Sequence, residues 1–146
     1  MTGTRGVVTI GVAILLAATA IAAMTINAVD AEGVLGPGPV TVTLDVNHSR
    51  FSPDVIHVRV GTTVTFVVVN DDPINHELIV GDDDVHTRHE NGSEADHPPV
   101  PGEVSVGPGE SARTTYVFDG PGTVLFACHL PGHFDYGMHG SVRVHT

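Results

Sequence analysis

The segment PGESARTTYVFDGPGTVLFACHLPGHFDYGMHGSVRV, residues 108–144, decides the fold of this chain. It consists of short runs rich in apolar and β-branched residues, bounded by the Gly- and Pro-containing turns GPGE and DGPG. Runs of this length between such turns are typical of strands, which we place at residues 112–118, 123–129 and 141–145. Three successive predicted strands indicate a β domain at this end of the chain.

The same pattern continues upstream. Some runs alternate apolar and polar residues as half-buried strands do, and a denser run is typical of a strand covered on both faces. These predicted strands are residues 40–47, 55–60, 62–70, 76–80 and 103–106. Sustained helical periodicity free of Pro and Gly is missing from the sequence after residue 31, which argues against a parallel α/β sheet. We predict an all-β fold, a Greek-key β-sandwich or barrel.

The N-terminus differs from the rest of the chain. After Arg5, residues 6–29 are rich in Val, Ile, Leu and Ala and contain no charged residue. We predict that residues 1–31 form a hydrophobic helix that is a signal peptide or a membrane anchor, with a buried helix as the alternative. The Gly- and Pro-rich residues 32–39 are predicted to be a linker to a domain at 40–146. The chain is therefore expected to be exported to the periplasm, the cell surface or the medium.

Charge limits the partners of the protein. The 17 acidic and 6 basic residues, with no Lys among the latter, give a formal net charge of −11. Such a surface argues against nucleic acid as a partner. The acidity is compatible with solubility alone, with a salty medium, or with faster encounter with a positively charged partner.

Cys128 is the only cysteine, so an intrachain disulfide is excluded. A single cysteine in an exported protein is a buried inert thiol, an intermolecular link, or a metal-binding or catalytic thiolate. Its neighbours decide between these, because His133 follows after four intervening residues and Met138 after four more. Thiolate, imidazole and thioether form a soft donor set that suits copper better than magnesium or calcium.

A fourth donor has to come from elsewhere in the chain. His76 is the natural candidate, since it follows the turn Asp71-Asp72-Pro73 and begins a strand that could lie beside the Cys128 strand. Two His and one Cys with a weak axial Met form a blue-copper site. Zinc fits less well, because structural zinc sites are built from closely spaced Cys and His, and Met is not a usual zinc ligand.

With these residues in place, the chain resembles the cupredoxins, the small type 1 copper proteins that include plastocyanin. The likeness covers residues 108–144, with the PGE and PGT turns, a strand ending in Cys and a last strand after GMHG. It implies that His76, Cys128, His133 and Met138 hold one copper ion. The gap between Cys128 and His133 is longer than in plastocyanin and is similar to that of rusticyanin.

The resemblance also implies a function. A cupredoxin of this kind carries single electrons between redox partner proteins, is not an enzyme, and is expected to act as a monomer. His133 would be the ligand on the solvent side, with Pro131, Phe134 and Met138 in an apolar docking surface. The chain departs from the family where Glu77, instead of Asn or Ser, follows His76, which leaves the contacts around the Cys sulfur undefined.

Two other functions stay open, a copper-handling protein and a small copper oxidase or reductase. Spare histidines in the acidic loop 81–102 could form a second copper or zinc site with the carboxylates around them, or could belong to a solvated loop. The candidates are His86, His89 and His97. We expect His129 and His139 to face solvent, because alternation along an extended strand turns them away from their ligand neighbours.

Overall fold

The computed structural model describes residues 33–92 and 99–146. The predicted signal peptide or anchor at 1–31 lies outside the described residues, and so does His97. Within the described ranges, no helix is long and apolar enough to cross a membrane.

The described chain is mostly β-structure with two helices. In chain order the elements are β1 (Gly38–Val46), β2 (Phe51–Ser52), β3 (Val55–Arg59), β4 (Thr62–Asn70), β5 (His76–Gly81), α1 (Asp83–Glu90), β6 (Glu103–Val106), β7 (Ser111–Phe118), β8 (Gly122–Ala127), α2 (His133–Tyr136) and β9 (His139–His145). Every predicted strand is present, with ends within two residues of the predicted bounds. The sequence pattern missed β2, which is too short to show a period, and helix α2, and it left a short helix around residues 84–90 as an open alternative.

The strands form two sheets, and this arrangement confirms the all-β prediction. One sheet has the order β2-β1-β4-β7 and the other β3-β9-β8-β5-β6. Strands β1 and β4 run parallel, as do β3 and β9, while the other five pairs of neighbouring strands in the described chain are antiparallel. Parallel neighbours cannot be joined by a tight hairpin, so the chain crosses between the sheets. These crossings place successive strands in two sheets that pack face to face as a β-sandwich.

The core lies between the two sheets and is built from the alternating residues that the sequence pattern placed inside. Strands β1 and β4 show strict alternation of buried and less buried residues, as expected for sheet strands with one face on a core. Fully buried side chains from both sheets meet there, among them Leu44, Val46, Phe66, Val68, Leu78, Phe126 and Val142.

The segment predicted as a linker makes contacts with the domain. Val34 is buried, and Leu35 forms a parallel bridge with Val58. The amide of Leu35 donates to the carbonyl of His57 at 2.9 Å, and the amide of Arg59 donates to the carbonyl of Leu35 at 2.9 Å. Residues 34 and 35 therefore extend the edge of the second sheet beside β3.

Helix α1 begins at an N-cap, because the carboxylate of Asp82 accepts a hydrogen bond from the amide of Val85 at 3.1 Å. The buried residues of this helix are His86 and His89 rather than aliphatic residues. An apolar-pattern search cannot find such a helix, since the face that it packs against β5 is made of imidazoles. The helix covers the strand that carries His76.

Candidate metal centre

His76, Cys128 and His133 converge at one end of the sandwich. One donor atom from each side chain lies within 4.8 Å of the others, and no other group of three such donors occurs in the described ranges. His76 and Cys128 are buried, whereas His133 is half-buried. The Sγ atom of Cys128 lies 3.2 Å from Nδ1 of His133. The structure thus brings together three of the four predicted ligands.

Strand pairing positions two of these residues. β5 and β8 are antiparallel neighbours with Ile79 opposite Ala127, so the start of β5 and the end of β8 meet at the same edge. His76 begins β5, and Cys128 directly follows β8. The prediction that the His76 strand lies beside the Cys128 strand is confirmed.

The loop after Cys128 positions His133 and Met138. Gly132 and Gly137 have φ values of 82° and 98°, and the short helix α2 lies between them. The amide of Met138 donates to the carbonyl of His133 at 3.0 Å, and the amide of Cys128 donates to the carbonyl of Met138 at 3.1 Å. Because only Gly adopts these positive φ values at low cost, the two glycines let the loop fold back. Met138 is fully buried as a result.

Asp72 fixes the orientation of the His76 ring through a hydrogen bond with Nε2. Its carboxylate lies 3.0 Å from Nε2 of His76 and accepts hydrogen bonds from the amides of His48 and Ser49 at 2.7 and 2.8 Å. Burial would raise the pKa of Asp72, but the bonds from Ser49, His48 and His76 lower it. The carboxylate therefore stays ionised and accepts a hydrogen bond from Nε2–H, which leaves the Nδ1 lone pair of His76 available to a metal.

The free nitrogen of His76 tests whether the residues fit a metal. His76 Nδ1 is buried and lacks a hydrogen-bond partner among the described residues. Burial lowers the pKa of His76, with the bond to Asp72 acting in the opposite direction, so the ring is neutral. A neutral imidazole nitrogen that faces a thiol and a second imidazole is poorly accommodated without a cation. The donor set accordingly fits copper.

The Cys128 thiol is also adapted to a metal. Burial raises its pKa to about 12, against the effect of the amides of Glu77 and Leu130, which donate to the sulfur. A thiol with such a pKa keeps its proton at neutral pH unless a bound cation displaces it. The two amides then remain as hydrogen-bond donors to the thiolate.

Glu77 takes the position where many cupredoxins have Asn or Ser. It is 2% exposed, and its Oε1 accepts a hydrogen bond from the amide of His129 at 2.8 Å. The carboxylate thus ties the start of β5 to the residue after Cys128. The backbone of Glu77 contributes one of the two hydrogen bonds to the Cys128 sulfur, and the charge of its carboxylate adds to the rise in the Cys128 pKa.

The expectation that His129 faces solvent is wrong. Its side chain is 1% exposed, because helix α1 covers the side of the strand end that faces away from Cys128. Nε2 of His129 lies 2.8 Å from Nδ1 of His86, and its ring stacks on Phe134 with centroids 5.2 Å apart. Burial, together with His86 and His89, lowers the pKa of His129 to about 4. His139, in contrast, is exposed as predicted.

Two histidines of the predicted second site, His86 and His89, lie on the buried face of helix α1. Both His86 and His89 are buried, and Nε2 of His89 lies 3.0 Å from Oε2 of Glu103. Arg88 forms an ion pair with the same glutamate. The alternative of a solvated loop therefore does not apply to His86 and His89, whereas Asp83, Asp84 and Glu90 of the same helix are exposed. The loop pattern of the sequence contained no signal that Glu77, Glu103 and His129 would join these residues.

The surface beside the metal centre differs in one respect from the docking surface that the resemblance implied. Met138 is fully buried and contributes nothing to it. Pro131 is exposed and Phe134 half-buried, and the exposed apolar residues close in sequence to the ligands are Ile74 and Tyr136, at 46% and 61% exposure. The half-buried ring of His133 is the ligand nearest to solvent.

A two-sheet β-sandwich with one Cys, two His and a buried Met at one end defines a copper-binding protein of the cupredoxin type. The chain belongs to the plastocyanin/azurin family of copper-binding proteins, whose family model matches residues 39–145.

Individual relatives agree with this family. The copper-resistant cuproprotein CopI of Rubrivivax gelatinosus is 38% identical over 98 residues, covering 65% of this chain and 59% of the relative. Auracyanin-B of Chloroflexus aurantiacus is 28% identical over 144 residues, covering 86% of this chain and 61% of the relative. The chain therefore spans less than two thirds of the length of both proteins.

A solved structure supports the fold. The sodium-dithionite-reduced auracyanin of Roseiflexus castenholzii aligns with a TM-score of 0.61 at 21% sequence identity. The alignment covers 76% of this chain and 98% of the auracyanin. At this identity the likeness concerns the cupredoxin fold.

Proposed function

We propose that this chain is an exported carrier of single electrons with one type 1 copper ion, held by His76, Cys128, His133 and Met138. The observation that supports the proposal most directly is the buried Nδ1 of His76, which lacks a hydrogen-bond partner in the described part of the chain and lies close to the donor atoms of Cys128 and His133. Copper supplies a one-electron couple when it is bound. The protein side chains hold its donors in place, and no substrate bond has to change.

The surroundings of the ligands favour rapid electron exchange. His76 is held by Asp72, and the Cys128 sulfur by two amides, so the ligands cannot move far when the charge of the metal changes. A rigid donor set reduces the reorganisation that accompanies electron transfer. His133, half-buried at the surface, is the proposed point of electron entry and exit.

The proposed partners are redox proteins that dock on the surface around His133. The exposed side chains of Ile74 and Tyr136 provide apolar area for a small, transient contact. The net charge of −11 favours a partner that carries positive charge. The apolar run at residues 6–29 supports export and, if it is retained, anchorage to a membrane.

A visible spectrum of the copper-loaded protein tests the centre. We expect an intense blue or green thiolate-to-copper band in the parent chain and its loss in Cys128→Ser. His139→Gln is the matched control, because this exposed histidine adjoins Met138 and should leave the band unchanged. A parent protein without the band contradicts the proposed centre, and turnover of nitrite or phenols would contradict the proposal that the chain is not an enzyme.

A second candidate function is copper handling. It is favoured by the similarity to a copper-resistant cuproprotein. The two functions differ in how readily the ion leaves. Copper that resists a strong chelator and is reduced reversibly supports electron transfer, whereas rapid loss to the chelator supports copper handling.

A further inference from the structure

We propose that the cavity between helix α1 and the ligand loop is a second metal site, for a divalent transition ion such as Zn²⁺ or Cu²⁺. Its ligands are the imidazoles of His89 and His129 and the carboxylates of Glu77 and Glu90. All four side chains line this cavity of about 340 Å³. The site does not depend on the proposed electron-transfer function.

The hydrogen bonds of His86 define which nitrogen of His129 carries the proton and which carries the lone pair. Nε2 of His86 lies 3.3 Å from the carbonyl oxygen of Leu125, which can only accept, so this nitrogen carries the proton. In the neutral ring Nδ1 of His86 is then an acceptor for Nε2 of His129, at 2.8 Å. The remaining nitrogen of His129, Nδ1, holds a lone pair.

That lone pair is left without a donor. His129 Nδ1 is buried and has no hydrogen-bond partner among the described residues, and the whole side chain is 1% exposed. It faces Oε1 of Glu90 at a distance of 4.0 Å. The buried nitrogen and the carboxylate oxygen are both acceptors, and a cation between them would relieve their repulsion.

A second histidine and a second carboxylate lie alongside. Oε2 of Glu103 accepts a hydrogen bond from His89 Nε2 at 3.0 Å, so Nδ1 is the nitrogen of His89 that we assign to the metal. His89 Nδ1 lies 4.0 Å from Oε2 of Glu77. The rings of His89 and His129 are stacked with centroids 6.3 Å apart, so the two nitrogen–carboxylate pairs border one cavity.

The two nitrogen–oxygen distances of 4.0 Å suit a small ion once the carboxylates move slightly closer to the imidazoles. Zinc binds imidazole nitrogen and carboxylate oxygen at about 2.0–2.2 Å, so an ion can bridge atoms that are 4.0 Å apart. The four donors are more widely spaced than those of the copper centre. Glu90 has the freedom to close the site, since it ends helix α1 and its side chain is 53% exposed. Two imidazoles and two carboxylates are a donor set for zinc or copper(II).

Zinc titration of the copper-loaded full chain tests the proposal. The thiolate-to-copper band reports that the first centre stays filled while Zn²⁺ binding is measured by calorimetry. We expect one further equivalent of Zn²⁺ to bind. His129→Gln and Glu90→Gln should each weaken this binding by about tenfold or more, or about 1.4 kcal/mol.

Two control variants separate this site from other sources of zinc binding. Asp84→Asn removes the same charge from the exposed first turn of the same helix and should leave the affinity unchanged. His145→Gln breaks the exposed pair in which His57 Nδ1 lies 2.8 Å from His145 Nε2, and it should also have no effect.

Three results would overturn the proposal. One is a parent chain that binds no further Zn²⁺, and another is loss of binding in His145→Gln instead of His129→Gln. The third is an unchanged Zn²⁺ affinity in Glu90→Gln. Because the Glu90 side chain is 53% exposed, this variant should fold, and it decides the test if His129→Gln does not fold.

Discussion

Asp72 and Glu77 are two carboxylates on either side of His76, and they act on different ligands. Asp72 is anchored by the turn at His48 and Ser49, two residues with φ values of 51° and 52°, and holds the imidazole of His76. Glu77 is buried beside Cys128 and accepts from the backbone after it. Substituting Asp72 therefore tests how the orientation of His76 affects the site, and substituting Glu77 tests the effect of a negative charge near the Cys128 sulfur.

Asp72→Asn should weaken copper binding. The amide keeps the shape of the side chain but carries no charge to orient His76 and raise its basicity. Loss of such a partner typically lowers metal affinity about 10–100-fold. Competition with a chelator of known affinity measures the change, and Asp71→Asn, at the exposed neighbouring residue, is the matched control. Equal affinities for the parent and Asp72→Asn would show that the carboxylate has no such role.

Glu77→Gln should raise the reduction potential of the bound copper. A buried negative charge near Cys128 stabilises the more positive oxidation state, so its removal favours Cu(I). The glutamine oxygen can still accept from the amide of His129, which preserves the loop contact. Voltammetry measures the potential, and Asp119→Asn, at an exposed position, should leave it close to the parent value. A lower or unchanged potential in Glu77→Gln contradicts this assignment.

At the scale of elements, the ligand loop depends on close packing of β9 against its neighbours. Gly140 pairs with Phe126 across β8 and β9. A Cβ atom at Gly140 would lie 2.3 Å from Cζ of Phe126 and 2.4 Å from the carbonyl oxygen of Asp54. Gly140 therefore allows β9 to start directly after Met138, next to the metal ligands.

Gly140→Ala should destabilise the fold. The new methyl group meets a backbone oxygen and a core ring, and overpacking of this kind costs about 1–3 kcal/mol. Urea unfolding of the copper-free protein measures the loss. Gly120→Ala is the control, because a Cβ atom there has no neighbour within 4 Å. Equal stabilities of the two variants would contradict the packing argument.

At the scale of the whole molecule, the end of the sandwich that holds the metal centre is rich in buried neutral histidines. Burial lowers the pKa values of His76, His86, His129 and His133 below the ordinary value of 6.5, for His129 to about 4. The fold therefore favours the uncharged form of these rings. Folding and protonation therefore oppose one another.

The copper-free protein should lose stability as the pH falls from about 6.5 towards 4. In this window the histidines of the unfolded chain bind protons, whereas those of the folded chain stay unprotonated because their pKa values are lower. The free energy of unfolding therefore decreases as the pH falls. Urea unfolding at a series of pH values measures the effect. His139→Gln removes an exposed histidine and should keep the pH dependence of the parent. A free energy of unfolding that stays constant down to pH 5 would contradict the burial of these rings.

Much of the fold could be predicted because its signals are local. Alternation of apolar residues along β1 and β4, with turn residues between the strands, identifies strands before their partners are known. Helix α1 could not be predicted in the same way. Its buried face consists of His86 and His89, which are polar residues in any hydrophobicity pattern, and their burial is possible only because Glu103 and His129 provide partners.

The sequence by itself determined the all-β fold class, and the spacing of Cys128, His133 and Met138 within one short loop predicted three of the donors. Only the tertiary structure decided what surrounds these donors. It placed Asp72 behind His76, Glu77 beside Cys128 and His129 under helix α1. The physical reason is that local spacing restricts residues close in the chain, whereas contacts between strands and loops far apart in sequence follow from how the two sheets pack.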